Sequence, residues 1–250
     1  MITPAPPLLD ARHALFLDVD GTLIDLAPTP DAVVVPVDLP RLLNDVHAAL
    51  GGALALVSGR DAAALARLLP GLRAPVLASY GAESPLWPVV TCDIPAAARI
   101  ACAAGVRAHA GTLLEEKSSG LALHWRTAAV PAAAQSSLTA LAEHTAAEHG
   151  ARVVHGHCVA EVVFSGWSKS RAVAHAVRVI PFSGRLPVMV GDDVPDQEAM
   201  RVAIKAGGFG IAIGPGAFTD AARFALRNPA TVRYWLRRSL GELTTGGTIA

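Results

Sequence analysis

The stretch ALFLDVDGT at residues 14–22 decides the fold, because a short apolar run ends in two carboxylates and a glycine. Residues 14–19 are typical of a buried strand. Asp18 and Asp20 then lie at its carboxyl end, the edge at which open α/β sheets bind ligands. Gly21 permits a sharp turn that leaves backbone amides facing an anion. The stretch therefore predicts an anion-binding site at the rim of a parallel sheet.

Short predicted strands and helices alternate after this stretch, and they alternate again in the last third of the chain. Alternation of strand and helix is typical of a parallel sheet with helices packed on its faces. Asp196 is suited to cap the helix that follows it. The predicted strands are 53–57, 76–79, 187–190 and 209–213, and the predicted helices are 39–50, 61–69, 169–179 and 197–206.

The middle of the chain has a different pattern. An alanine-rich helix is predicted from Pro95 toward Leu114, followed by a strand at 121–125, a helix at 131–148 and two strands at 152–155 and 159–164. That order indicates a small α+β unit with an antiparallel sheet. We therefore predict an α/β fold with a Rossmann-like core, formed by residues 1–90 and 167–250, and an inserted α+β domain at 91–166.

Composition narrows the class of protein. Hydrophobic residues make up 52% of the chain, and 21 basic residues balance 21 acidic ones. A neutral chain lacks the basic excess that nucleic acid or an anionic membrane would favour. No apolar run approaches the ~18 residues of a membrane span, and the N-terminus does not resemble a signal peptide. We expect a soluble cytoplasmic protein with a small-molecule partner, and the sequence gives no indication of its oligomeric state.

A second acidic cluster, Gly191 to Asp196, follows another predicted strand. Carboxylates gathered at a sheet edge are costly without a cation. Mg²⁺ prefers oxygen ligands and takes one or two protein carboxylates together with water and phosphate oxygens. The cluster therefore predicts a Mg²⁺ cofactor.

Two further segments suit a phosphate group. Ser58, Gly59 and Arg60 follow the second predicted strand at the start of a helix, where a hydroxyl and an amide can bind phosphate oxygens. Lys169 begins the helix after the inserted domain, and the chain has only two other lysines, Lys117 and Lys205. Its rarity and position make Lys169 a candidate functional cation.

In this order, the D-x-D-G-T stretch, the serine, the lysine and the acidic cluster resemble the haloacid dehalogenase superfamily of phosphohydrolases. The resemblance implies that Asp18 attacks the substrate and forms an aspartyl phosphate. Asp20 would protonate the leaving alkoxide and then activate water. Lys169 and Mg²⁺ would offset the repulsion between the anionic substrate and the attacking carboxylate.

The same resemblance assigns the remaining core residues. Gly21, Thr22, Ser58 and Gly59 are expected to bind phosphate together with Asp18 and Lys169. The expected metal ligands are Asp18, Asp20 and Asp192, supported by Asp193 and Asp196.

The inserted domain narrows the substrate class. Glu115-Glu116-Lys117, His124-Trp125-Arg126 and Glu161 resemble the cap signature of trehalose-6-phosphate phosphatases. Residues 79–83, which include Gly81, and the stretch 28–35 are also similar to that family. The resemblance implies that Glu115, Lys117 and Glu161 hold the distal glucose once the cap closes. Further expected substrate contacts are Arg60, Gly81, His124 and Arg126.

The chain departs from the pattern of that family at several positions. Tyr80 stands where the family usually has His or Asn, and Ser170 replaces a glycine. After the acidic pair, Pro195 and Gln197 replace the usual Thr and Glu. Two alternatives therefore stay open: a phosphatase or phosphomutase acting on another sugar phosphate, and a catalytically silent sugar-phosphate-binding regulator.

Overall fold

The computed structural model describes residues 5–27, 32–89, 92–156, 158–214 and 221–245. The chain divides into two compact units. The first comprises Met1–Ala27, Val33–Pro88 and Ser168–Ala250, and the second is formed mainly by Val89–Trp167. The predicted domain boundaries, after residues 90 and 166, lie beside these divisions. Part of the family-like stretch 28–35, residues 28–31, lies outside the described residues.

The described parts of the chain contain ten strands and seven α-helices. The strands are β1 (His13–Leu17), β2 (Leu54–Val57), β3 (Val76–Leu77), β4 (Leu113–Lys117), β5 (Gly120–His124), β6 (Arg152–Gly156), β7 (Val159–Val163), β8 (Leu186–Gly191), β9 (Phe209–Ile213) and β10 (Phe224–Leu226). The helices are α1 (Leu39–Ala49), α2 (Ala62–Leu68), α3 (Ala96–Arg107), α4 (Pro131–His149), α5 (Lys169–Ala176), α6 (Val194–Lys205) and α7 (Pro229–Thr245).

The first unit is built on a six-stranded parallel sheet in the order β10-β9-β8-β1-β2-β3. Strand β1 lies in the middle, with Phe16 paired to Ala55 of β2 on one side and Met189 of β8 on the other. All five of its residues are buried. Burial on both faces explains the continuous apolar run, which is typical of parallel sheets. The predicted Rossmann-like core is confirmed.

The second unit contains a four-stranded antiparallel sheet in the order β4-β5-β7-β6. One face of this sheet packs on α3 and α4. Its apolar side chains alternate with residues on the opposite face, as the two-residue period of a strand requires. The core between sheet and helices includes Leu121, Leu123, Ala160, Val162, Cys102, Leu138 and Ala142.

The structure corrects the predicted helix from Pro95 toward Leu114. Helix α3 ends at Arg107, and Leu113–Lys117 form β4, an edge strand that the sequence did not predict. Gly111 has a φ of +81°, and a Cβ there would overlap the carbonyl oxygen of Thr127. The glycine therefore lies in the turn between α3 and β4, in a conformation that an L-residue adopts poorly.

The C-terminal region combines a short strand and a helix. It begins with β10, which adds the last strand to the sheet, and α7 follows from Pro229. Proline suits this first helical position because its missing N–H has no partner there. Helix α7 braces the start of the chain: Trp235 Nε1 donates to the carbonyl of Pro7, and the N–H of Leu9 donates to Ser239 Oγ.

Membrane crossing requires a long apolar helix. In the parts of the chain that the structure describes, no helix combines the necessary length with the necessary apolar character.

Candidate active site

Three neighbouring strands end at residues predicted to carry the chemistry. Asp18 directly follows β1, Ser58 follows β2, and Asp192 follows β8. Because β1 pairs in parallel with both β2 and β8, the carboxyl ends of all three strands share one edge of the sheet. The first unit therefore brings these residues together at the edge where α/β folds bind ligands.

Lys169 is the first residue of α5, and its ammonium group lies among these carboxylates. Its side chain is only 7% exposed. Nζ donates to Oδ1 of Asp18 at 2.6 Å and to Oδ1 of Asp196 at 2.7 Å. Ser168 caps the helix by accepting a hydrogen bond from the N–H of Arg171, which fixes the start of α5. The rare lysine thus contacts the predicted nucleophile directly.

Asp18, Asp192 and Asp196 form an acidic cluster, with one carboxylate oxygen from each lying within 4.8 Å of the others. Thr22 Oγ1 donates to Oδ1 of Asp192 at 3.3 Å, so the predicted phosphate-binding threonine also contacts this cluster. Each of the three carboxylates in the cluster offers an oxygen atom as a metal ligand, and Mg²⁺ prefers oxygen ligands.

The loop after β8 is held by Asp196. Its Oδ2 accepts hydrogen bonds from the backbone N–H groups of Asp192 and Asp193, both at 3.2 Å. A Cβ at Gly191 would overlap this carboxylate, so the close approach requires glycine. Asp196 therefore orients the loop that carries Asp192 and anchors the lysine as well.

The structure corrects the predicted start of this helix. Asp196 is not the N-cap: α6 begins at Val194, and Asp193 caps it. Asp193 and Asp196 form a reciprocal capping box, in which Asp196 occupies the third helical position. Pro195 in the first turn suits this arrangement, because proline there loses no helical hydrogen bond.

The pKa values of the cluster indicate that it holds too little positive charge to balance its carboxylates. Burial raises the pKa of Asp18 to about 7, although Lys169 opposes the rise. Burial and the nearby Asp18 raise the pKa of Asp192 to about 8. Burial lowers the pKa of Lys169, but the two carboxylates that it contacts raise it above its ordinary value. One ammonium therefore does not balance three carboxylates, of which Asp18 and Asp196 are buried and Asp192 is half-buried, and the cluster needs protons or a further cation.

Gly21 allows the loop after β1 to approach this cluster. Its φ is +79°, and a Cβ there would overlap the carboxylate of Asp192. The N–H of Gly21 donates to the carbonyl of Ile24 at 2.8 Å, which closes the tight turn after Asp20. The glycine is thus required both for the turn and for the space that Asp192 occupies.

Asp20, the second predicted acid, lies outside the acidic cluster of the described residues. Its carboxylate accepts two hydrogen bonds from Arg60, with Nε to Oδ2 and Nη2 to Oδ1 both at 2.7 Å. The sequence grouped Asp20 with the metal ligands and Arg60 with the substrate contacts. The two side chains instead form a bidentate ion pair with each other.

The predicted phosphate-binding turn after β2 packs against the turn after β3. Ser58 is buried, and its Oγ accepts a hydrogen bond from the N–H of Arg60 at 3.1 Å. A Cβ at Gly59 would lie 2.7 Å from the ring of Tyr80. Tyr80 has a φ of +60°, and Gly81 follows it in a short 3-10 turn at Ser79–Gly81. Tyr80, one of the positions at which the chain departs from the family pattern, therefore lies beside Gly59, a predicted phosphate-binding residue.

In the second unit, the predicted sugar-binding residues lie on one face of the sheet. Glu115 pairs with Ala122 in register, and Ala122 pairs with Glu161. Lys117 lies two residues after Glu115, and His124 lies two residues after Ala122. Because side chains alternate between the two faces of a sheet, Glu115, Lys117, His124 and Glu161 all point away from α3 and α4. The antiparallel sheet thus groups residues that are far apart in the sequence.

These residues form one ion pair and one contact between a histidine and a carboxylate. Lys117 Nζ donates to Oε2 of Glu161 at 2.7 Å, and both side chains are largely buried, at 10% and 4% exposed. His124 Nε2 lies 2.9 Å from Oε2 of Glu115. Arg126, two residues beyond β5, is partly exposed.

Sequence reasoning missed two features of the first unit. The anchoring role of Asp196 had a signal in the sequence, because Asp193 and Asp196 follow a strand with the spacing of a capping box. The pairing of Asp20 with Arg60 had none, because residues 40 positions apart meet only through the pairing of β1 with β2.

The parallel sheet, with a buried aspartate–lysine pair beside an acidic rim, has a haloacid dehalogenase-like fold. A haloacid dehalogenase-like hydrolase from Bacteroides thetaiotaomicron has a similar fold, with a TM-score of 0.60 and 15% identity over 90% of this chain and 98% of that chain.

The trehalose-phosphatase family model matches residues 16–227, and the chain belongs to this family of phosphoric monoester hydrolases. A probable trehalose-phosphate phosphatase from Sinorhizobium fredii is 38% identical over 81% of this chain and 78% of its own length. The trehalose-6-phosphate phosphatase of Escherichia coli is 35% identical over 88% of this chain and 84% of its own length.

A solved structure agrees with this assignment at the level of the fold. The C-terminal domain of Candida albicans trehalose-6-phosphate phosphatase has a TM-score of 0.80 and 20% identity, over 92% of this chain and 93% of that chain. The family resemblance stated from the sequence motifs is confirmed.

Proposed function

We propose that this protein hydrolyses trehalose 6-phosphate to trehalose and phosphate, with Asp18 as the nucleophile and Mg²⁺ as the cofactor. The observation that carries the proposal is the buried contact of Lys169 with Asp18 inside the acidic cluster. Membership of the trehalose-phosphatase family supports the substrate.

The donor set fits magnesium. Asp18 and Asp192 offer carboxylate oxygens near each other, and their raised pKa values indicate a demand for positive charge that a divalent cation meets. These two residues would hold the ion, with Asp196 orienting the loop of Asp192. When bound, magnesium supplies positive charge that offsets the approach of an anionic substrate to an anionic nucleophile.

The first half-reaction forms a bond between a carboxylate oxygen of Asp18 and phosphorus. The bond from phosphorus to the sugar oxygen breaks, and that oxygen takes a proton from Asp20, because a sugar alkoxide is too basic to leave unaided. Lys169 stabilises charge on the transferring phosphoryl group. The product of this step is an aspartyl phosphate on Asp18.

The second half-reaction returns the enzyme to its starting state. Water attacks the phosphorus of the aspartyl phosphate and gives its proton to Asp20. The bond to Asp18 breaks, and phosphate is released. Thr22, Ser58 and Gly59 bind the phosphate oxygens during both steps, because their hydroxyls and amides lie at the carboxyl ends of the strands. The N–H of Gly21, which the sequence assigned to phosphate binding, donates to the carbonyl of Ile24 instead, so Gly21 serves the turn.

The second unit would recognise the sugar. Carboxylates and ammonium groups make strong, directional hydrogen bonds to hydroxyls. Lys117 and Glu161 are already held in an ion pair, and Glu115 is held by its contact with His124, so these side chains would bind a sugar with little further loss of freedom. His124 and Arg126 complete the proposed set of sugar contacts in this unit.

A phosphate-release assay tests this proposal. We expect Mg²⁺-dependent release from trehalose 6-phosphate, abolished by chelation, and slower release from glucose 6-phosphate. Comparable rates on the two compounds would instead favour a broader sugar phosphatase, and transfer of phosphate to another position would indicate a phosphomutase. Tight binding of trehalose 6-phosphate without any Mg²⁺-dependent release would indicate a silent regulator and contradict the proposal.

A further inference from the structure

The ion pair between Arg60 and Asp20 has a geometry suited to positioning. The guanidinium meets the carboxylate through two parallel hydrogen bonds of 2.7 Å, and the two side chains are 14% and 29% exposed. A bidentate arginine–carboxylate pair fixes both the place and the plane of the carboxylate. This pairing uses both oxygens of the residue that the proposed mechanism employs for proton transfer.

The backbone of Arg60 is itself held at both of its polar groups. Its N–H donates to Ser58 Oγ at 3.1 Å, and its carbonyl accepts from the N–H of Ser79 at 2.8 Å. These bonds tie the residue to the turns after β2 and β3. The guanidinium therefore extends from a rigid base toward Asp20.

The loop that carries Asp20 is braced from the other direction. The N–H of Gly21 donates to the carbonyl of Ile24, and Arg233 Nη1 of α7 donates to the carbonyl of Leu23 at 2.6 Å. With the backbone fixed on both sides, the Asp20 side chain retains only its own torsional freedom. The ion pair removes that freedom.

We propose that Arg60 is a positioning residue, which holds the carboxylate of Asp20 in place for its proton transfers to the leaving sugar oxygen and from the attacking water, and does not itself bind the substrate. This inference rests on the proposed function, because it presupposes that Asp20 is the acid and base of a phosphatase. It differs from the sequence-based prediction, which assigned Arg60 to substrate binding.

A double-mutant cycle tests whether Arg60 acts through Asp20. We expect Arg60→Gln to lower kcat on trehalose 6-phosphate by roughly 10- to 100-fold, the scale of misplacing a catalytic group, with little change in KM. In an Asp20→Asn background, the same substitution should change kcat by less than about 2-fold, because its effect is already lost. Full additivity of the two losses, or an unchanged kcat in Arg60→Gln, overturns the inference.

The leaving group gives an independent readout. The aryl oxygen of p-nitrophenyl phosphate leaves without a proton, so only the water step needs Asp20. Arg60→Gln should therefore give a rapid burst of p-nitrophenol, close to one equivalent per enzyme, followed by slow turnover. A raised KM with normal kcat on either compound would mean that Arg60 binds substrate, and would overturn the inference.

Two further variants control for folding. Arg60→Lys keeps the charge but lacks the planar fork, so it should recover only part of the lost kcat. Arg237→Gln breaks another arginine–aspartate pair of the first unit, with Asp38, and should leave kcat unchanged. Melting temperatures identify any unfolded variant. Wild-type turnover of trehalose 6-phosphate tests the proposed function separately, since its absence would contradict that proposal whatever the cycle shows.

Discussion

Replacing Gly21 by alanine should weaken magnesium binding, whereas the same replacement at a matched glycine should affect only the stability of the fold. The new Cβ would overlap the carboxylate of Asp192, and the φ of +79° disfavours an L-residue. Gly71 offers a matched control, because its φ is +77° and no heavy atom lies within 4 Å of the Cβ position. Gly71→Ala therefore has the same backbone strain without the collision.

The expected magnitudes follow from this comparison. A left-handed φ costs an alanine about 1–2 kcal/mol, and loss of glycine freedom in the unfolded chain returns about 0.4–1 kcal/mol. A net cost near 1 kcal/mol lowers the melting temperature of a chain this long by about 2–4 °C. Only Gly21→Ala must also move Asp192, and a displaced ligand should reduce the apparent Mg²⁺ affinity at least ~10-fold, or about 1.4 kcal/mol.

The assay is a Mg²⁺ titration of phosphate release, paired with melting temperatures measured with and without Mg²⁺. Gly71→Ala should reach half-maximal activity at the wild-type Mg²⁺ concentration and keep the full Mg²⁺-induced rise in melting temperature. Gly21→Ala should need more Mg²⁺ and show a smaller rise. The same Mg²⁺ requirement in both variants would refute the assignment of Asp192 as a ligand held against Gly21.

Four further outcomes are expected. Asp18→Asn should abolish phosphate release while the protein stays folded by circular dichroism, and Asp20→Asn should lower the release rate by on the order of 100-fold; full activity in either variant would remove its proposed role. In chelator, the melting temperature should fall as pH rises toward 8, since burial raises the pKa of Asp18 to about 7 and that of Asp192 to about 8 from an ordinary 3.8. Between these pH values the folded state retains protons that the unfolded state releases. The resulting stabilisation is fully present below the unfolded pKa and is lost above the folded pKa values. A melting temperature that does not change with pH would contradict this reasoning, and Mg²⁺ should reduce the change. Lys117→Met should raise KM for trehalose 6-phosphate while leaving KM for p-nitrophenyl phosphate unchanged, and equal effects on both would argue against sugar recognition.

Local patterns were sufficient to predict the parallel core. The apolar runs that became β1, β2 and β8 are continuous because both faces of the sheet are buried, and each is followed directly by polar residues. The placement of Asp18, Ser58 and Asp192 at one edge then follows from the parallel order of the strands. Sequence and structure agree here because each signal is local.

Long-range pairing limited the rest of the prediction. Residues 113–117 form β4 only because β5 lies beside them, whereas their own sequence contains charged residues that suit a helix as well as an edge strand. The bidentate pair of Arg60 with Asp20 likewise depends on where two loops meet in space. Neither feature leaves a periodic trace in the sequence.

The central position of β1 also affects how the chain folds as it is synthesised. Its partner β2 begins at Leu54, but its other partner β8 begins only at Leu186. At ~5–20 residues per second, a ribosome leaves one edge of β1 exposed for on the order of 10 s. During that interval all of Val89–Trp167 emerges as one continuous segment, so the antiparallel unit can fold before the sheet that surrounds it in the sequence is complete. Chaperones that bind nascent apolar strands should therefore associate mainly with the N-terminal part of this chain.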